Sequence, residues 1–272
     1  MIAGFPIPIW AQLDLRLETP KTSYLQYASI PVTIKLKNLG GQNLELSGSS
    51  SSPWLEMIVQ STDGLLIRPD QPLSAPPLVL RSGEVKDLPL DLAPHFLVRE
   101  PGGYRVRASV RLPSGQTLLT EPLTLLVGRG EVVWTAPRGE GKDLRIFSLL
   151  KFYEDPNIGL YLRVEVPGRN QVFPSRRLGP YLPLGKPAAE FDAKNHLHLL
   201  YAVAPGQHRI TVVNEDGKVL REENRQETVE KPRLRRGPDG LVDVIGGTVI
   251  LPSHLREKLS TLQARAGTAP AP

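Results

Sequence analysis

Residues 29–47, SIPVTIKLKNLGGQNLELS, alternate between apolar and polar side chains. Val32, Ile34 and Leu36 fall on one face of an extended chain, and the residues between them are threonine and lysine. A turn-forming segment follows at 38–43, after which the same alternation resumes. This period of two predicts a pair of half-buried β-strands.

The same pattern continues on both sides of this stretch. Asp63-Gly64 is a hairpin signal between apolar runs, Ser82-Gly83 is another turn, and GGYRVRASV at 102–110 alternates again. About seven short strands separated by turns predict a β-sandwich. We place this sandwich at residues 12–128.

Residues 80–110, LRSGEVKDLPLDLAPHFLVREPGGYRVRASV, resemble the later strands of bacterial immunoglobulin-like and fibronectin-III-like modules. The Pro-Gly-x-Tyr-x-Val segment places Tyr104 where the tyrosine-corner residue of such a sandwich would lie. The resemblance covers residues 12–128 and implies a fold with little functional specificity. Because the chain has no cysteine, an antibody-type domain is not expected.

The second half contains an internal repeat. PAAEFDAKNHLHLL begins at Pro187, and PRLRRGPDGLVDVI begins 45 residues later at Pro232. A weaker copy is DPNIGLYLRVEV at 155–166. Three copies are too few for a propeller, so residues 129–252 are predicted to form a second β domain of repeated hairpins. No specific family is recognised for this half.

The sequence patterns at the two ends of the chain differ from those in the rest of it. Residues 1–11 are apolar and uncharged, which fits either the remnant of a secretory signal ending at Ala11 or a first edge strand. Leucines at helical spacing predict a short helix within 253–272, followed by a disordered tail.

Positive charge is concentrated in the second half. Residues 12–128 hold 11 basic and 11 acidic side chains, whereas residues 129–272 hold 22 basic and 17 acidic ones, so the net charge of +5 lies there. A patch for an anionic partner is one interpretation, and a solvated face is the other. The candidate patch consists of Arg176, Arg177, Arg233, Arg235 and Arg236.

His196 and His198 are one residue apart and would share one face of a strand. In the second copy of the repeat the corresponding residues are Leu241 and Asp243, so imidazole is not required there. Two histidines are also fewer than the three or four ligands of a zinc site. We therefore expect two sheet-face histidines, with no metal and no cofactor.

The sequence contains little that indicates catalysis. It has no Gly-x-Ser-x-Gly motif and no cysteine. Its adjacent acidic pairs, such as Glu154-Asp155, are predicted at turns or exposed strand ends, where neighbouring side chains face opposite sides. We expect no enzymatic activity.

Aromatic rings offer a second kind of binding surface. Stacking on sugars is one interpretation, and core packing is the other, because aromatic residues make up only 6% of the chain. The candidate rings are Trp54, Trp134, Tyr161 and Tyr181.

These observations predict an exported, non-enzymatic binding or structural protein, secreted or periplasmic. Its partner would be a protein or polysaccharide of the envelope, and nucleic acid is not expected. No stretch approaches the roughly 20 apolar residues of a membrane-spanning helix. A carbohydrate-binding module is the first alternative, and a cryptic hydrolase is the second.

Overall fold

A computed structural model describes residues 13–96, 98 and 100–251 of the protein. The prediction of an all-β chain is confirmed. The chain divides into two compact units between Gly130 and Glu131, here called unit 1 and unit 2. The expectations for residues 1–11 and for a helix and tail at 253–272 lie outside the described residues.

The strands of unit 1 are short. They are β1 (Leu13–Glu18), β2 (Ser23–Leu25), β3 (Pro31–Asn38), β4 (Leu44–Leu46), β5 (Leu55–Ser61), β6 (Leu66–Ile67), β7 (Leu78–Leu80), β8 (Val85–Asp91), β9 (Gly102–Arg111), β10 (Thr117–Leu119) and β11 (Leu123–Gly128).

Two main sheets make up unit 1. One has the order β1-β3-β8, and the other has the order β2-β11-β9-β5-β6 with β10 paired to β9. The short strands β4 and β7 pair separately. The chain leaves the first sheet after β1 and enters the second as β2, which runs parallel to β11.

Both sheets contribute to one hydrophobic core. The alternating residues Val32, Ile34 and Leu36 of β3 are buried, and they belong to the same cluster as Val106 and Val110 of β9. Each such side chain stabilises the fold by about 1.5–3 kcal/mol when it leaves water. The period of two that predicts β3 therefore also marks the face that packs inward.

Trp54, which immediately precedes β5, is the largest fully buried side chain of this cluster. Its indole N–H donates a hydrogen bond to the carbonyl of Pro76 at 3.1 Å. The polar edge of the ring is therefore satisfied although the ring itself is buried.

Tyr104 lies near the start of β9 and is buried. Its hydroxyl donates a hydrogen bond to the carbonyl oxygen of Glu100 at 2.6 Å. Burial raises the pKa of this phenol. The bond ties the strand to the loop that enters it.

We expect Tyr104→Phe to lower the free energy of unfolding by about 0.5–1.5 kcal/mol, because one buried hydrogen bond is lost while the ring stays. Urea denaturation would measure the change. The control is Tyr153→Phe, since Tyr153 is exposed and its hydroxyl donates to the side chain of Asp155 at 3.2 Å, so its loss should cost less than that of the Tyr104 hydroxyl. Equal losses in the two variants would contradict the structural role of the Tyr104 hydroxyl.

The described part of unit 2, residues 131–251, consists of strands and two 3₁₀ turns, Gly141–Asp143 and Pro167–Arg169. The strands are β12 (Glu131–Arg138), β13 (Arg145–Glu154), β14 (Asn157–Val166), β15 (Gln171–Val172), β16 (Arg176–Pro180), β17 (Ala188–Phe191), β18 (Leu197–Ala204), β19 (Gln207–Val213), β20 (Val219–Gln226), β21 (Arg233–Arg236), β22 (Val242–Ile245) and β23 (Thr248–Ile250).

Unit 2 has two larger sheets and one separate hairpin. The first sheet has the order β12-β13-β14-β15 with β16 paired to β14, and the second has the order β17-β18-β19-β20-β23. Phe147 and Leu162 of the first sheet share a core cluster with Leu197 and Leu199 of the second. The remaining hairpin, β21–β22, is antiparallel.

The β21–β22 hairpin packs on the second sheet. Its Leu234 and Val244 contact a small cluster formed by Leu200, Ile210 and Val212. Apolar side chains on this surface of the second sheet are thereby removed from water.

The two clearest copies of the sequence repeat have the same local geometry. Strands β17 and β21 have bounds that differ by the repeat offset of 45 residues. In the first turn the amide of Asp192 donates to the carbonyl of His196 at 2.9 Å, and in the second the amide of Gly237 donates to that of Leu241 at 2.8 Å.

Both turns also need a left-handed backbone at the same position. Asn195 has a φ of 62°, and Gly240, its counterpart, has a φ of 75°. Asparagine and glycine are the residues that adopt this conformation most easily. The turns touch one another, since the amide of Ala193 donates to the carbonyl of Gly240 at 2.9 Å.

Within the described part of the chain, no helix has the length and apolarity required to cross a membrane.

Candidate functional site: an open polar pocket in unit 2

The two histidines singled out in the sequence both face Asp192. This residue lies in the turn between β17 and β18 and is only 4% exposed. Asp192 Oδ2 lies 3.1 Å from His198 Nε2 and 3.3 Å from His196 Nδ1. Its Oδ1 accepts hydrogen bonds from the backbone amides of Lys194 and His196, both at 2.8 Å. One carboxylate therefore holds the turn and orients both imidazoles.

The physical surroundings keep this carboxylate ionised. Burial raises the pKa of Asp192, but the hydrogen bonds from His198 and from the amides of His196 and Lys194 outweigh burial, and the pKa is held below its usual value. Among the described residues, no three or more His, Cys, Asp or Glu side chains are grouped so as to hold a metal ion. The cluster has the geometry of a turn-stabilising motif.

Beside this turn lies an open pocket of about 650 Å³. It is formed by the end of β12, the following loop, the start of β13, and the turns β17–β18 and β19–β20. The lining residues are Pro137, Arg138, Gly139, Glu140, Asp143, Arg145, Phe147, Asn195 and Glu215.

Arg138 is held in a fixed orientation at the pocket. Its Nε and Nη2 atoms both donate to Asn195 Oδ1, at 3.0 and 2.7 Å. The guanidinium carbon lies 5.2 Å from the centre of the Phe191 ring, a cation–π contact. Phe191 in turn packs edge-on against the buried Phe147, with ring centres 5.1 Å apart.

Arg145 is the second cation of the pocket, and its side chain is 19% exposed. Its Nη2 lies 3.3 Å from Asp216 Oδ1 and 3.9 Å from Glu215 Oε1. Its Nε is buried and has no hydrogen-bond partner among the described residues. A third ion pair joins Asp143 to Arg169. Most charges around the pocket are therefore engaged with other protein groups.

The loop after β12 depends on glycine. Gly139 has a φ of 82°, and a side chain there would place its Cβ 2.9 Å from the carbonyl oxygen of Asp143. Any larger residue would both strain the backbone and push this wall of the pocket outward.

The five arginines of the candidate anionic patch belong to two different sheets. Arg176 and Arg177 lie on β16, and the other three lie on β21. Arg177 pairs with Glu154 at 2.7 Å. Arg236 pairs with Glu190 at 3.1 Å and also donates to the carbonyl of Phe191.

Glu154 lies at the end of β13, as expected, but the expectation that its side chain is exposed is wrong. Its side chain is only 6% exposed, because it ends β13 and receives hydrogen bonds from Tyr161 and Arg177. Burial, followed by the hydrogen bond to Glu154 and its charge, strongly raises the pKa of Tyr161.

We expect the triple change of Arg233, Arg235 and Arg236 to Gln to alter the free energy of unfolding by less than about 1 kcal/mol, because exposed ion pairs contribute little. Retention on heparin should not change. A contrasting variant is Arg177→Gln, which removes the cation beside the buried Glu154 and should cost about 1–3 kcal/mol. A large, salt-sensitive loss of heparin retention in the triple variant would instead identify β21 as an anion-binding surface.

Three of the four candidate stacking rings are buried. Trp54, Tyr161 and Tyr181 are each less than 8% exposed, and a buried ring has no free face for a sugar. Trp134 is half-buried, and the centre of its ring lies 6.5 Å from the centre of the Phe191 ring. The interpretation of these rings as a stacking surface is therefore corrected for Trp54, Tyr161 and Tyr181, which serve as packing residues. The pocket is lined instead by residues that the sequence did not single out.

Comparison with solved structures finds partial similarities to several proteins. The CARDB domain of a Pyrococcus furiosus protein matches 43% of this chain and 87% of its own length, at 17% identity and a TM-score of 0.28. The cupredoxin domain of amoB from Nitrosocaldus yellowstonii matches 47% of this chain and 97% of its own, at 13% identity and a TM-score of 0.29.

A chain from the complex of the Salmonella enterica SafA pilin with the SafB chaperone matches 78% of this chain and 96% of its own, at 10% identity and a TM-score of 0.25. These likenesses are of β-domain architecture alone. No protein-family model matches the sequence. No curated protein matches it either.

Proposed function

We propose that this chain is a non-enzymatic binding protein, secreted or periplasmic, in which unit 1 is an immunoglobulin-like sandwich and unit 2 carries the ligand site. Support for the immunoglobulin-like assignment comes from two sheets around one core and from the Tyr104–Glu100 hydrogen bond, which has the geometry of a tyrosine corner. Such scaffolds serve many functions, so the function is argued from the pocket.

The observation that carries the binding role is that three charged side chains of the pocket lining are paired with other protein groups. Arg138 is held by Asn195, Arg145 by Asp216, and Asp143 by Arg169. A general acid or base has to exchange a proton with its substrate, whereas a recognition site gains affinity when its polar groups are fixed in advance. The fixed geometry favours recognition.

Export is supported by the sequence of residues 1–11, MIAGFPIPIWA, which is apolar and has a small residue where a signal peptidase could cleave. On this proposal the natural partners are polysaccharides or proteins of the envelope or the cell exterior.

The test uses the full chain and insoluble envelope polysaccharide from the source cells. We expect the protein to be retained on the polysaccharide in sedimentation, with no increase in reducing ends or other products over hours. Steady product formation would contradict a non-enzymatic role. Fractionation of the source cells should recover the protein outside the cytoplasm, and recovery in the cytoplasm would refute the export part of the proposal.

A further inference from the structure

We infer that the unit 2 pocket binds a neutral oligosaccharide and that Arg138 determines its specificity. The inference rests on the proposed binding function and names the ligand class for the same site. The observations that carry it are the size of the pocket, its polar lining, its charge balance and the fixed position of Arg138.

The size fits part of a sugar chain. A volume of about 650 Å³ lies in the range of about 300–1,000 Å³ that is usual for small-molecule sites. The pocket is open to solvent, so a longer polymer could extend beyond it. Among the lining residues, the apolar side chains are those of Pro137 and the buried Phe147.

The lining chemistry matches hydroxyl groups. Six of the nine lining residues carry guanidinium, carboxylate or carboxamide groups. Guanidinium groups only donate hydrogen bonds, ionised carboxylates only accept them, and a carboxamide does both. Because each sugar hydroxyl both donates and accepts hydrogen bonds, neighbouring hydroxyls can bond to the arginines and to the carboxylates of the lining.

The charge balance disfavours an anionic ligand. The cations at the pocket and in its ion pairs are Arg138, Arg145 and Arg169. The corresponding anions are Glu140, Asp143, Glu215 and Asp216. With one more negative than positive charge, the site offers no excess of positive charge to a phosphate, a nucleic acid or a uronic-acid polymer.

Arg138 is prepared for recognition. Two of its five N–H groups bond to Asn195, and the ring of Phe191 lies beside the guanidinium, so three N–H groups remain for a ligand at a fixed place. Binding then requires little further ordering of this long side chain. Glu140, on the neighbouring loop, provides an exposed acceptor.

The experiment is isothermal titration calorimetry of the full chain with a panel of neutral oligosaccharides, namely gluco-, xylo-, manno- and N-acetylglucosamine oligomers, and with oligogalacturonate as the anionic comparison. We expect binding to a neutral member, weakened about tenfold or more by Arg138→Gln and by Glu140→Gln. The matched control is Arg235→Gln, an exposed arginine of the same unit outside the pocket, which should bind like the parent protein.

A second measurement is independent of any variant's folding. Titration of the ¹⁵N-labelled parent protein should shift the NMR signals of the Asn195 side-chain amide and the Arg138 Nε–H. Unchanged affinity in Arg138→Gln and Glu140→Gln, with no shift at Asn195, would overturn the assignment of the pocket while leaving a non-enzymatic binding role intact. Failure of the whole neutral panel, or preference for oligogalacturonate, would overturn the ligand class. Cleavage of a bound oligosaccharide would instead refute the non-enzymatic role, whichever variant bound it.

Discussion

Trp54→Ala should lower the free energy of unfolding of unit 1 by about 3–5 kcal/mol, the cost of truncating a large buried ring and leaving a cavity. The ring is 2% exposed and lies among side chains from both sheets of unit 1. The change also removes the donor that satisfies the Pro76 carbonyl. Hydrogen exchange followed by mass spectrometry would measure the effect, because it reports the stability of each unit from its own peptides.

The control for this prediction is Trp134→Ala. Trp134 is only half-buried and lies in unit 2, so its loss should cost less and should increase exchange in peptides of unit 2. Equal destabilisation of unit 1 peptides by both variants would contradict the placement of Trp54 as the central core residue of unit 1.

Asp192→Ala should destabilise unit 2 by about 2–4 kcal/mol, because two backbone amides and two histidines lose their common acceptor. Asp192→Asn retains an oxygen for the amides and should cost about half as much. Asp239→Ala is the matched control in the sister turn, where the exposed carboxylate accepts a hydrogen bond from the amide of Leu241 at 3.0 Å. Chemical denaturation followed by circular dichroism would rank the three, and a control as destabilised as Asp192→Ala would contradict the prediction.

The same carboxylate should make stability depend on pH. Its pKa is lower in the folded protein than the unfolded value of 3.8, so ionisation favours folding. The stabilisation is fully present above the unfolded pKa and is lost as the pH falls through the folded pKa. The contribution of this carboxylate to the difference in stability between the parent protein and Asp192→Asn should therefore shrink as the pH falls below about 4. A contribution that grew as the pH fell below about 4 would contradict the lowered pKa of Asp192.

Local sequence patterns are sufficient to predict much of the fold. The alternation of Val32, Ile34 and Leu36 predicts both a strand and its buried face, because side chains on a strand alternate with a period of two. The repeat likewise indicates two hairpins with turns at corresponding positions. The pairing of β2 with β11 is not visible locally, since nothing near Ser23–Leu25 encodes a parallel neighbour a hundred residues away.

The candidate site was beyond sequence reasoning for a physical reason. Arg138, Asn195 and Glu215 have no common motif or spacing, and they meet only because three loops end at the same place in unit 2. Burial of Glu154 was missed for a related reason, because an acidic residue at a turn is normally solvated unless distant partners cover it. Phe191, which lies beside Arg138, indicates this site only once the strand that pairs with its own strand is known.

The left-handed residue of the repeated turn affects both the fold of the hairpin and the lining of the pocket. Both asparagine and glycine permit this backbone, but only asparagine has a side chain that can bond an arginine. The copy with Asn195 therefore orients Arg138, whereas the copy with Gly240 only closes its hairpin. On the proposed binding function, replacement of Asn195 by glycine would release Arg138 while the turn kept the backbone conformation that it requires.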